Sequence, residues 1–156
     1  MRWQPPKVES DHDHLHMCLM LVASSAPNGR EDLNRAALDA AETGLRVELD
    51  RPSRWSWPRY RPVRAAISEE GGCACSLLSD EADWNADVWA MRPEILEPLA
   101  RTLEILAQNG PLNLAIEAVW VGEKARKTTQ VTPSELAQLV RSNGLGTRTK
   151  YVIVRQ

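Results

Sequence analysis

Apolar residues follow two different periods along this chain, and these periods predict where the strands and helices lie. In residues 45–49, leucine and valine alternate with Arg46 and Glu48, which is the period-two pattern of a half-buried strand. In residues 15–23 the apolar run is continuous after His16, which predicts a central strand covered on both sides. Further strands are predicted over residues 63–68, 73–78, 112–120 and 149–155, with the first two forming a hairpin across Glu-Glu-Gly-Gly.

Capping residues and apolar stripes predict three helices. The motif 28-NGRE-31 places Asn28 three residues before a glutamate, as in a capping box, and Gly44 is placed to end this first helix. The motif 132-TPSE-135 adds a proline at the first helical position to the same arrangement, and this helix is predicted to end at residues 143–144.

The second helix carries an internal proline. Its apolar stripe begins near Pro93 and ends at residues 109–110, an Asn-Gly pair. Pro98 cannot donate a backbone hydrogen bond and its ring crowds the preceding turn. The sequence therefore leaves two alternatives, a helix that kinks at Pro98 or one that starts near Pro98 after a single separate turn.

The predicted order of elements, βαβ-ββα-βαβ, defines the fold class. Hairpins and crossovers interspersed with helices favour an α+β fold, a two-layer sandwich in which a mixed sheet of about six strands packs against three helices. Residues 1–11 are polar with a Pro-Pro pair and are predicted to form an irregular N-terminal arm. A chain of 156 residues is long enough for one core, so residues 12–156 are predicted to be a single domain.

Composition narrows the functional classes. The net charge of -2 disfavours nucleic acid as a partner, because binding to a phosphate backbone depends on excess positive charge. The longest apolar run, residues 17–23, is far shorter than the roughly 20 residues of a membrane span. The three cysteines are an odd number without the spacing of a disulfide framework, and acidic residues stand where a secretory leader has positive charge. These features predict a cytoplasmic protein.

The segment 51-RPSRWSWPRYRPVR-64 is the most unusual in the chain. Arginine forks bind phosphate or carboxylate, aromatic rings stack, and both residue types dominate protein interfaces. The predicted contact residues are Arg54, Trp55, Trp57, Arg59, Tyr60 and Arg61. Their partner is predicted to be a second copy of the chain or a small anionic ligand. The alternative is that the arginine stems stack on the rings within the loop.

All three histidines and all three cysteines lie in two strand-like segments, residues 12–18 and residues 73–75. Residues two apart share one face of a strand, so His12, His14, His16 and Cys18 form one row. Cys73 and Cys75 form a second row. If the two strands are neighbours, His14, His16, Cys73 and Cys75 make the mixed nitrogen and sulfur set that zinc favours. The alternative is structural, because unpaired cysteine is often a small buried apolar residue.

Taken together, these patterns predict a non-catalytic binding or interaction module whose contact surface is the loop at residues 51–64. The alternative is a metal-dependent or cysteine-based enzyme that uses the histidine and cysteine rows. No G-x-S-x-G, phosphate-binding loop or dinucleotide fingerprint is present in the sequence, so no motif decides whether the protein is an enzyme.

Overall fold

A mixed sheet of six strands, with three helices, confirms the predicted α+β class for the residues described. The computed structural model describes residues 18–50, 62–71, 73–83, 85–120 and 122–155. The strands are β1 Leu19–Ser25, β2 Arg46–Leu49, β3 Val63–Ser68, β4 Ala115–Trp120, β5 Lys127–Val131 and β6 Thr149–Ile153. The helices are α1 Arg30–Ala40, α2 Pro93–Asn109 and α3 Pro133–Arg141. The two-layer arrangement stays a prediction.

The first strand lies in the interior of the sheet, as predicted. The strand order is β2-β3-β1-β4-β6-β5, and β1 pairs antiparallel with β3 and β4, so that Leu21 lies beside both Ile67 and Ala118. The pairs β2–β3 and β4–β6 are also antiparallel. Strands β5 and β6 are parallel, and α3 lies between them in the chain as the crossover that a parallel pair requires.

The two faces of β1 differ in burial. Leu19, Leu21 and Ala23 are at most 1% exposed and belong to a single apolar cluster that also contains buried residues of all three helices. The alternate residues Met20 and Val22 are only half-buried. The described helices bury their apolar stripes in the cluster on one side of β1, so the prediction that this strand is covered on both sides is not confirmed for the described residues.

The internal proline does not interrupt α2, which runs without a break from Pro93 to Asn109. The alternative in which the helix starts near Pro98 is wrong. Pro98 lies in the second turn, where it removes a single intrahelical hydrogen bond. One turn later, the Thr102 hydroxyl donates to the Pro98 carbonyl at 2.8 Å and lies 2.7 Å from the hydroxyl of Thr43.

The two predicted capping boxes have different outcomes. At α3 the box is confirmed: the Thr132 hydroxyl accepts from the Glu135 N–H, and the Glu135 carboxylate accepts from the Thr132 N–H. At α1 the prediction is wrong, because Asn28 lies in a short 3₁₀ turn before the helix. The N-cap residue is Gly29, so no side chain caps this helix. Gly44 ends the 3₁₀ extension of α1 at a φ of 88°, as expected for glycine there.

The predicted hairpin after β3 is also wrong. Residues 73–78 are not a strand, because Cys75–Leu77 form a 3₁₀ turn. The sixth strand is instead β5, which the sequence analysis did not predict. Its residues Lys-Thr-Thr-Gln are mostly exposed at the edge of the sheet and therefore lack an apolar alternation.

The predicted N-terminal arm, residues 1–11, lies outside the described residues. Within the described ranges, no helix is both long enough and apolar enough to cross a lipid bilayer.

Candidate metal centre

Three cysteine side chains meet beside the start of β1. The Sγ atoms of Cys18, Cys73 and Cys75 all lie within 4.8 Å of one another, and each residue is partly exposed. Cys18 immediately precedes β1, whereas Cys73 and Cys75 lie in the segment that follows β3. None of the three forms a disulfide. These three residues are called the thiol cluster below.

Backbone hydrogen bonds to Leu19 hold the two halves of the thiol cluster together. The Ala74 N–H donates to the Leu19 carbonyl at 2.9 Å, and the Leu19 N–H donates to Cys75 Sγ at 3.1 Å. Ala74 and Leu77 are fully buried in the core, and the Leu77 N–H closes the turn on the Ala74 carbonyl. The segment is thus hydrogen-bonded to β1 at Ala74, between the two cysteines, and at Cys75 itself.

The pKa values of the three thiols are shifted in different directions. Burial is the largest influence on Cys75 and raises its pKa to about 12, with the neighbouring thiols adding to the rise and the Leu19 N–H opposing it. The pKa of Cys18 is also raised, first by burial and then by its hydrogen bond with Cys73.

For Cys73 the balance is reversed. Burial is again the largest influence and raises the pKa, but hydrogen bonds from the Cys75 backbone and from the Cys75 and Cys18 thiols together outweigh it. The pKa of Cys73 therefore falls below its ordinary value. Cys73 is the first of the three to become the thiolate, which is the form that attacks electrophiles and binds metal ions.

The separations in the thiol cluster fit a thiophilic ion. Zinc binds thiolate sulfur at about 2.3 Å, so ligands of one tetrahedral ion are about 3.8 Å apart. Sulfur atoms that already lie within 4.8 Å of one another need to move by only about 1 Å to share one ion. A divalent ion displaces the protons of the three thiols on binding, and its positive charge offsets the repulsion between the resulting thiolates.

The structure brings together only part of the predicted zinc set. Cys73 and Cys75 lie in the thiol cluster, and the hydrogen bond between Ala74 and Leu19 shows the adjacency of the two segments that the sequence left open. His14 and His16 lie outside the described residues. Cys18 belongs to the same predicted row as the histidines but not to the predicted zinc set. Its even spacing from His14 and His16 is the sequence signal that could have added it to that set.

The predicted contact loop cannot be placed in the same way. All six of its contact residues fall within residues 51–61, outside the described part of the chain. The loop therefore stays a prediction.

Comparisons with known proteins add no relative: no family model, no curated protein and no solved structure matches this chain. The fold and the site together define an α+β protein with a three-cysteine cluster at one end of its central strand.

Proposed function

We propose that the protein binds a zinc ion through the thiolates of Cys18, Cys73 and Cys75. The observation that carries this proposal is the convergence of three sulfur atoms from two distant parts of the chain. These are all of the cysteines in the sequence. Buried cysteines that act only as small apolar residues have no reason to collect at one point, whereas thiolate ligands must.

The role proposed for the ion is structural. The segment at residues 73–78 belongs to none of the six strands and forms only one isolated bridge, between Leu78 and Met91. The Leu19 backbone attaches it to β1 through two hydrogen bonds. A thiolate-bound ion would add a strong link between this segment and the residue that precedes β1. Binding free energy of this kind contributes to folding, because the unfolded chain holds no preformed site.

A tetrahedral structural zinc site has four protein ligands, so three thiolates leave one position to fill. His16 is the proposed fourth ligand, since it is two residues before Cys18 and an extended chain would place both on one face. His14 is the next residue in the same row. A reducing cytoplasm, the proposed location, keeps such thiols available for metal.

Metal analysis of untagged protein tests the zinc proposal. We expect about one zinc per chain by elemental mass spectrometry, and a large loss of zinc in Cys18→Ser, Cys73→Ser and Cys75→Ser. The matched control is Ser76→Ala, which changes an exposed residue of the same turn without touching a thiol. Wild-type protein that holds no zinc after expression in zinc-supplemented medium, with all three thiols reduced, would contradict the proposal.

The fourth ligand has a separate test. We expect His16→Ala to release zinc to a chromogenic chelator faster than wild type, while His12→Ala releases it at the wild-type rate. Equal rates of zinc release for the two variants would show that His16 is not a ligand, and the proposed role of the three thiolates would still stand.

The contact loop at residues 51–64 remains a separate proposal that rests on its sequence alone. Arginine and aromatic residues at this density favour an interaction surface for a second copy or an anionic ligand. Replacing Arg54 and Arg59 with alanine is expected to change the oligomeric mass or to abolish an anion-induced shift in melting temperature. No change in either property would count against the loop.

A further inference from the structure

The face of the sheet that points away from the core cluster forms a broad groove of about 720 Å³. It extends along β1, and its lining includes Met20, Val22, Arg64, Glu117, Val119 and Lys150. The apolar residues among them are half-buried and lie outside the core cluster. An apolar strip of this kind in the middle of a sheet is typical of a surface that contacts another protein.

One row of side chains crosses this face from the edge strand β2 to β6, the strand beside the other edge. Val22 on β1 lies beside Ala66 on β3 and beside Glu117 on β4. Beyond them, Ala66 pairs with Glu48 on β2, and Glu117 pairs with Lys150 on β6. Glu48 and Lys150 therefore lie in the same row, two strands from β1 on opposite sides.

The charges in this row are weakly satisfied within the chain. Glu117 and Lys150 are cross-strand neighbours, but within the described ranges neither side chain makes an ion pair or hydrogen bond. Among the residues that the structure describes, Glu48 has a single long ion pair, with Arg46 at 3.8 Å, and both side chains are more than half exposed. Exposed pairs of this kind contribute little stability, so Glu48 and Lys150 are available to a partner.

We propose that this face binds the same face of a second copy of the chain, with a two-fold axis parallel to β1. Rotation about such an axis places Val22 against Val22 of the other copy. It also places Glu48 opposite Lys150 of the other copy, twice, because the two residues are equally far from β1. A symmetric interface must be complementary to itself, and this row meets that condition with Val22 at the axis and opposite charges two strands away on either side. Glu117 comes to lie opposite Ala66 of the other copy and keeps Lys150 of its own chain as its cross-strand neighbour.

The size of the face agrees with such an interface. In this arrangement five neighbouring strands of one copy lie over the same five strands of the other copy, namely β2, β3, β1, β4 and β6. At about 4.8 Å per strand and 3.4 Å per residue, these five strands cover about 500 Å². Two such faces bury about 1,000 Å² when each is treated as flat, without the extra surface of protruding side chains. This area reaches the lower limit for a specific interface. A small ligand would occupy only part of a surface this wide.

Two charge reversals test the proposal. Wild-type protein is expected to have twice the 17.5 kDa chain mass by light scattering. Glu48→Lys and Lys150→Glu are each expected to raise the dimer dissociation constant at least tenfold, because each places like charges opposite one another at both ends of the row. Val22→Asp, which brings two carboxylates together at the axis, should have a larger effect. The control is Glu31→Lys, an exposed change of the same charge on α1.

Mixing the two charge variants gives the decisive result. Equal amounts of Glu48→Lys and Lys150→Glu are expected to form a heterodimer with wild-type affinity, since both ends of the row then carry opposite charges. A defect confined to one chain cannot be rescued in this way. A monomeric wild type, a dimer insensitive to Val22→Asp, or a mixture that stays monomeric would each overturn the proposal. Circular dichroism spectra equal to the wild type show that the variants are folded.

Discussion

The side-chain amide of Asn143 makes two hydrogen bonds to the backbone of Met91. Its Oδ1 accepts from the Met91 N–H at 2.9 Å, and its Nδ2 donates to the Met91 carbonyl at 3.3 Å. Asn143 follows α3 with a φ of 57°, in the left-handed region that asparagine tolerates better than most residues. One residue thus ends a helix and fixes the irregular segment that precedes α2.

We expect Asn143→Gly to lower the free energy of unfolding by about 1–2 kcal/mol, because both hydrogen bonds are lost while glycine accepts the positive φ. Asn143→Ala should cost about 1 kcal/mol more, since alanine is strained in that region. Urea denaturation measures both values. Equal stability of the glycine and alanine variants would show that backbone strain at this position contributes nothing.

Acid pH should weaken the capping box of α3. The hydrogen bond from the Thr132 N–H holds the pKa of Glu135 below its ordinary value, and the Thr132 side chain adds to this effect. Because the pKa is lowered in the folded state, the contribution is complete above the ordinary pKa and is lost as pH falls through the folded value. Glu135→Gln keeps a hydrogen-bond acceptor without a titrating group. We therefore expect a smaller fall in the urea midpoint for this variant between about pH 6 and about pH 3.

The three cysteines should react with an alkylating agent in a fixed order when metal is removed. Cys73, whose pKa is lowered, is expected to be modified first near neutral pH, and Cys75, whose pKa is about 12, last. Peptide mapping by mass spectrometry after brief iodoacetamide treatment measures this order. The rate at Cys73 should fall in Cys75→Ala, because alanine has no side-chain donor to stabilise the Cys73 thiolate. Equal rates at all three positions would contradict the assigned shifts.

The indole of Trp89 is expected to stabilise the core through the volume it fills and through one hydrogen bond. Its side chain is 1% exposed, its Nε1 donates to the Ala118 carbonyl at 3.2 Å, and its ring lies edge-on to Trp120 with centroids 4.7 Å apart. Trp89→Phe removes the donor and leaves a cavity, so we expect a loss of about 2–3 kcal/mol in unfolding free energy. Leu112→Ala, at a position 77% exposed, is the control and should change stability by less than about 0.5 kcal/mol.

The sequence predicts well those elements whose local pattern of apolar, polar and capping residues matches the burial of their side chains in the fold. Strand β2 and the start of α3 are examples, since alternation and the Thr132 capping box act within a few residues. Strand β5 could not be predicted in this way, because most of its side chains face solvent and its strand conformation depends on pairing with β6. Residues 73–78 show the opposite error. Their apolar residues are compatible with a strand, but the chain turns there to bury Leu77.

The thiol cluster was only partly predictable for a related reason. The even spacing of Cys73 and Cys75 predicts a shared face on a strand. In the structure Cys75 begins a 3₁₀ turn instead, and both cysteines lie close to Cys18. Their adjacency depends on the pairing of Ala74 with Leu19, a long-range contact that no local pattern encodes. Alternation also did not show that the second face of β1 would be half-buried, since a continuous apolar run fits either case.

The insertion of β6 between β4 and β5 sets an order of events for the folding chain. Strand β5 comes earlier in the sequence, but it joins the sheet only through β6. Residues 127–131 therefore have no strand to pair with until residues 149–153 lie extended beside them. A chain shortened before residue 149 would leave β5 unattached, and a protease should cleave there first.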